Sequence, residues 1–228
     1  MNVGTISCSH CGESIASHYC ANYGQKYDPK KLNLFTLVYD LFANLLSLEK
    51  SVFSAAIRLF WNPHDYVQNY FNGFRSFYPS PGRMLLVALT IGGLQVALVS
   101  PELLGFEFSV ENLAGQLAFF VVFVPVLSII SWLSGLVHKQ SLIKHLISGI
   151  YLSSAYFITL QILLSIIDKL FDPGFGSFPG LLFILLFFLG SARIFNPGNP
   201  RRILLAFILQ LVLMVALVYG VSSFSIEK

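Results

Sequence analysis

Charge is scarce in this chain. Only 11% of its 228 residues are Asp, Glu, Lys or Arg, against about 25% in ordinary soluble domains, while 55% are hydrophobic. So few ionic groups cannot clothe a water-exposed surface, and a mean hydropathy of +0.72 makes a bilayer the expected main solvent. The net charge of +3 is small and its carriers scattered, which excludes nucleic acid as a charge-driven partner. Cysteine is missing after position 20, so no disulfide framework braces the chain. Also missing are a Gly-x-Ser-x-Gly elbow, a phosphate-binding loop and a His-Glu-x-x-His helix, the motifs that seat a nucleophile, a nucleotide or a catalytic metal. The expected protein is not an enzyme.

What is present is a series of apolar runs. Five are long enough to cross hydrocarbon, namely Met84–Ser100, Leu113–Val137, Leu146–Ile167, Phe178–Phe195 and Ile203–Phe224, given about 20 residues per crossing. Arg193 is the one charged residue within them, and this lack of ionisable groups at bilayer depth argues against a proton-coupled pump or an intramembrane protease. Pro125 should kink the second run. Asn199 is placed to cap the last helix and Pro200 to open it.

Basic residues mark one side of these crossings. Seven Lys and Arg precede the first run, the next connection holds Glu102, Glu107 and Glu111 without a base, and the following one holds Lys139 and Lys144 without an acid. With five crossings, twelve of the fourteen bases share one side, which the positive-inside rule makes the cytoplasm, with the N-terminus inside and the C-terminus outside. The first 30 residues are polar and hold no apolar signal region, so the first run is expected to act as an uncleaved signal-anchor.

The three cysteines form one and a half metal knuckles. Cys8-Ser-His-Cys11-Gly12 is complete, whereas Tyr19-Cys20-Ala-Asn-Tyr23-Gly24 carries tyrosine where a fourth thiolate belongs. Structural zinc takes four ligands. The candidate set is therefore Cys8, Cys11 and Cys20, completed by His18 or, second, by His10, because the phenol of Tyr23 is protonated at neutral pH. The alternative is a decayed ribbon with three free thiols.

Between the knuckle and the first run, two segments carry narrow polar stripes on wide apolar faces. Leu32–Ser47 has Asn33, Thr36, Asp40, Asn44 and Ser47 at steps of three and four, and Lys50–Trp61 has Lys50, Ser54 and Arg58. Such helices are expected either to lie in the membrane interface or to pack on each other or on the crossings. Asn62-Pro63-His64-Asp65 opens a further helix that Gly73 ends. Arg75, Tyr78 and Arg83 then precede the membrane entry, as interface anchors or as contacts for a lipid phosphate or other anion.

Taken together, a Cys-x-x-Cys-Gly knuckle, a Tyr-Cys-x-x-x-Gly-Gln knuckle and the pattern Pro63, Tyr66, Tyr70, Gly73, Arg75, Tyr78, Pro81 resemble the bacterial membrane family of domain of unknown function 3667. The match covers about the first 85 residues, and the rest by architecture only. Tyr23 departs from the family's fourth cysteine. The resemblance implies a bacterial inner-membrane protein with a small zinc ribbon and brings no activity with it.

The expected fold is an all-α membrane protein of about five crossings (84–228), preceded by a degenerate zinc-ribbon knuckle (1–28) and amphipathic interfacial helices (29–83). Gln95, Gln116 and Gln161 fall in the outer half of their crossings, where they either bond across helix contacts or line a polar site. Gly149 and the Gly190-Ser191-Ala192 stretch read as close-approach points between helices. The preferred function is a partner-binding or assembly component with a cytoplasmic docking surface. The alternative is a transporter or lipid-handling subunit that uses the glutamines.

Overall fold

Short strands close the N-terminal turn. β1 (Ile6–Ser7) and β2 (Ser14–Ile15) pair antiparallel, Ile6 opposite Ile15 and Ser7 opposite Ser14. The computed structural model describes residues 6–8, 11–15, 19–22, 24, 52–75, 78–98, 102–104, 106–107, 119–135, 140–171 and 178–226. After the knuckle come α1 (Val52–Trp61), α2 (Pro63–Phe71) and α3 (Pro81–Leu98), then a two-residue hairpin of β3 (Glu102–Leu103) and β4 (Phe106–Glu107). A π-helical turn, Phe119–Phe123, leads into α4 (Val124–Ser134), followed by α5 (Leu142–Phe171), α6 (Phe178–Phe195) and α7 (Pro200–Ile226).

Among the described residues, four helices are long and apolar enough to cross a membrane: Pro81–Leu98, Leu142–Ile167, Phe178–Phe195 and Pro200–Gly220. They coincide with four of the five expected runs. The second run is described only within 119–135, where the apolar helix Phe120–Ser134 is shorter than a full crossing, and its residues 113–118 and 136–137 lie outside the described residues. The π turn Phe119–Phe123 stands just before Pro125, where a kink was expected, and a widened turn accommodates the missing N–H and the ring.

α5 is the axis of the bundle. Every residue from Tyr151 to Ile158 is buried, because α3, α4, α6 and α1 pack around this helix. Small residues permit the approach: a Cβ on Gly149 would run into the Ser128 hydroxyl of α4, and one on Gly190 into the Tyr156 hydroxyl of α5. The close-approach reading of both glycines therefore holds. α7 packs chiefly against α6 and α4 and leaves Leu204, Leu205, Val212 and Val215 exposed, the kind of face a bilayer covers.

Two boundaries differ from expectation. α5 begins at Leu142 rather than Leu146 and so takes in Lys144 and His145. Hydropathy falls at these two residues, but the backbone ladder is indifferent to side-chain polarity, and both find partners: Lys144 Nζ donates to Gln140 Oε1 at 3.2 Å and lies over the Phe71 ring at 5.6 Å. The segment expected as an interfacial helix over Lys50–Trp61 is α1, whose Val52, Ala55, Ala56 and Leu59 are buried in the bundle core while Ser54 and Arg58 face out. Of the two alternatives for this helix, packing on the crossings describes its inner face. The segment Leu32–Ser47 lies outside the described residues. α2 starts at Pro63 and stops before Gly73, whose φ is +101°, but Asn62 does not cap it with its side chain: the amide donates to Asp65 Oδ2 at 2.6 Å instead.

Candidate metal centre and the polar core

The knuckle turns are built by hydrogen bonds that glycine permits. Gly12 N–H donates to Cys8 O at 2.9 Å and Gly24 N–H to Cys20 O at 2.8 Å, with φ +72° at Gly12 and +64° at Gly24, a region costly for any residue with a Cβ. The second turn thus keeps the knuckle geometry although Tyr23 has replaced the thiolate. The result is convergence. The Sγ atoms of Cys8, Cys11 and Cys20 all lie within 4.8 Å of one another, and Cys11 and Cys20 are 3.5 Å apart. Thiolates on tetrahedral zinc at about 2.3 Å stand roughly 3.8 Å apart, so the three donors fit a soft divalent ion. Cys8 and Cys20 are buried and Cys11 is exposed. The backbone hydrogen bond at Glu13 pulls the Cys11 thiol down, but hydrogen bonds shared with Cys20 and Cys8 and partial desolvation outweigh it and leave the thiol above its ordinary value. A bound cation would reverse that balance. His18 and His10 lie outside the described residues, so the fourth ligand is an expectation from sequence.

The back of the knuckle meets the segment leading to the first crossing. Cys8, Ile15, Cys20 and Phe74 form one buried apolar cluster with Tyr78 against it. Tyr78 stands edge-on to Tyr66 at 4.5 Å, and Tyr66 to Tyr151 of α5 at 5.5 Å. Tyr151 in turn donates its hydroxyl to Pro79 O at 2.8 Å. Aromatic contact is therefore continuous from the thiol cluster to the bundle axis.

The three residues read from sequence as lipid or anion contacts each have a partner within the chain. The Arg75 guanidinium lies over the Tyr70 ring at 5.9 Å. Tyr78 accepts a hydrogen bond from Asn69 Nδ2 at 3.1 Å. Arg83 is buried in the first turn of α3, where its backbone N–H donates to Ser80 Oγ at 3.3 Å.

Among the intramembrane glutamines, Gln95 and Gln161 come to one place. Ser165 Oγ of α5 bonds Gln95 Oε1 of α3 at 2.9 Å and also Gln161 O at 2.7 Å. Gln161 is buried, and its Oε1 has no hydrogen-bond partner. Gln116 lies outside the described residues.

A second polar node sits at the other end of α5. His145 Nδ1 and Ser131 Oγ are 2.8 Å apart, Ser131 is bonded to Ser191 Oγ, and the imidazole stacks on Phe195 at 3.7 Å. Gln210 Nε2 donates to Ser134 Oγ at 3.0 Å, so α4, α5, α6 and α7 are tied together here. The sequence expectation covered only Ser191, as part of a close-approach stretch, and began the third run at Leu146, one residue after His145. A signal was available: His145, Gly149, Leu152 and Tyr156 share one helical face, so the stripe of close contacts continues a turn beyond the hydropathy boundary.

No family model, no curated protein and no solved structure matches this chain.

Proposed function

We propose that this is a non-enzymatic, multi-pass membrane protein whose N-terminal ribbon, closed by zinc on Cys8, Cys11, Cys20 and His18, is a docking head for a protein partner, fixed at the entry of the bundle. One observation supports this most: Phe74 is buried among Cys8, Ile15 and Cys20. Three thiols and a handful of apolar atoms cannot make a self-sufficient core, so the metal on one side and the aromatic platform on the other together hold the head in place. The resemblance to the bacterial family and the charge asymmetry support an inner-membrane location with this head in the cytoplasm.

The experiment is elemental analysis of the purified full-length protein with amide hydrogen exchange on the same sample. Close to one zinc per chain is expected, falling in Cys11→Ser, with chelation raising exchange over 72–80. Because the ligands must be deprotonated, acid should release the metal. Phe74→Ala should keep the zinc and lose the protection. Protein without zinc, or zinc whose removal leaves exchange unchanged, overturns the reading.

A second reading, a transport or lipid-handling subunit, draws support from the buried, unpartnered Gln161 Oε1 and Ser154 Oγ at the axis. Alanine at Gln95 and Gln161 should abolish a transport phenotype under that reading and leave the zinc content unchanged under both.

A further inference from the structure

We infer that Cys11 and Cys20 are a hydroperoxide-responsive thiol pair: oxidation joins them in a disulfide and strips the knuckle of its metal. The inference rests on the docking-head reading for that metal and names what regulates the site.

Access decides which sulfur an oxidant meets. Cys8 and Cys20 are only 2% and 3% exposed, whereas Cys11 is exposed, and exposure is one of the properties that select a cysteine for oxidation. The resolving sulfur stands behind it. Cys20 Sγ lies 3.5 Å from Cys11 Sγ, although the two are nine positions apart in the chain. A disulfide is about 2.0 Å long, so closure needs about 1.5 Å of sulfur movement, at a side chain that faces open space.

More than sulfur holds the two turns side by side. Asn22 Nδ2, two residues after Cys20, donates to the carboxylate of Glu13, two residues after Cys11. Each turn is also closed by its own glycine N–H, Gly12 onto Cys8 O and Gly24 onto Cys20 O. A bond from Cys11 to Cys20 therefore spans between two formed turns and leaves both intact.

The reaction balances with a hydroperoxide, ROOH, as oxidant. The Cys11 sulfur attacks the terminal oxygen, the O–O bond breaks, RO takes a proton and leaves as the alcohol, and Cys11 becomes a sulfenic acid. The Cys20 sulfur then attacks the Cys11 sulfur, the S–O bond breaks and the oxygen leaves as water. Two thiols and one hydroperoxide give one disulfide, one alcohol and one water, with two electrons passing from sulfur to the peroxide. Cys8 and His18 then remain, half of the four ligands that structural zinc takes, and the metal is released. Reversal uses the same exposure. A reducing thiol attacks the Cys11 sulfur of the disulfide and frees Cys20, as expected of an exposed, regulatory disulfide in a reducing compartment.

The test uses full-length, zinc-loaded protein in detergent, treated with hydrogen peroxide. Zinc should fall from close to one per chain to near none, read with a colorimetric chelator, and mass spectrometry of a protease digest should show Cys11 joined to Cys20. Dithiothreitol should reopen the bond and restore zinc uptake. Cys8→Ser should still close Cys11 to Cys20, and Cys20→Ser should stop at a Cys11 sulfenic acid that dimedone captures. A disulfide between Cys8 and Cys11, one between two chains, or zinc kept through peroxide with all thiols reduced overturns the inference. Protein without zinc before peroxide is added fails the docking-head reading, and the release step with it, while a Cys11–Cys20 disulfide in its digest still supports the thiol pair.

Discussion

Adding one methyl group at Gly190 tests the axial packing of α5. A Cβ there would collide with the Tyr156 hydroxyl and stand 2.9 Å from Leu152 Cδ2 and 3.2 Å from Tyr156 Cε2. Leu152 and Tyr156 are both buried and have little room to retreat. Overpacking of this kind costs about 1–3 kcal/mol, and alanine's better helix propensity returns about 1 kcal/mol. Gly190→Ala is therefore expected to lose roughly 0–2 kcal/mol net. Gly220 of α7 supplies the reference, since nothing lies within 4 Å of a Cβ there, and Gly220→Ala should be neutral or gain up to about 1 kcal/mol. Adding Tyr156→Phe to Gly190→Ala removes the atom that collides and should recover a large part of the loss, a coupling between touching residues. Reversible unfolding in mixed micelles with increasing dodecyl sulfate measures all four variants. Gly190→Ala as stable as Gly220→Ala, or Tyr156→Phe with the same effect in both backgrounds, would refute the packing argument. Gly149→Ala should cost less than Gly190→Ala, because the Ser128 hydroxyl can swing away by giving up its 2.7 Å bond to Val124 O.

Burial raises the Tyr66 hydroxyl well above the ordinary phenol range, the Tyr78 phenol adds to this and Arg58 opposes it. The folded chain thus keeps a proton that the unfolded chain loses near pH 10, so stability is full below that pH and falls as pH rises beyond it; melting temperatures from pH 9 to 12 should fall less steeply in Tyr66→Phe. His145→Phe keeps the stack on Phe195 but removes the partner of Ser131, at a cost of about 1–2 kcal/mol. Since Ser191 acts through the same Ser131 oxygen, His145→Phe and Ser191→Ala should be non-additive, and simple additivity in micelle unfolding would show the node is not one network. In a cysteine-free background, single cysteines at Glu107 and Asn199 should label with impermeant maleimide from opposite faces, Glu107 from outside; labelling from one face would change the number of crossings between them.

Much of the fold was legible in sequence because it depends on short-range terms. An apolar run of about 20 residues must cross or be buried whatever surrounds it, and the Phe178–Phe195 run reappears as α6 with the same ends. Asn199 accepts from Arg202 N–H at 3.1 Å at the start of α7, since a cap needs only the residues beside it. The knuckle glycines and cysteines likewise converge through bonds spanning four residues. Tertiary structure alone decided which helix is central, that α1 packs against it, and that His145 is buried between Ser131 and Phe195. A segment's hydropathy states only that it leaves water, whereas the identity of its neighbour depends on how side chains as far apart as Ser131 and Ser191, or Phe60 and Tyr156, interlock across the bundle. That choice is a sum over many distant contacts, each too weak to be read from one position.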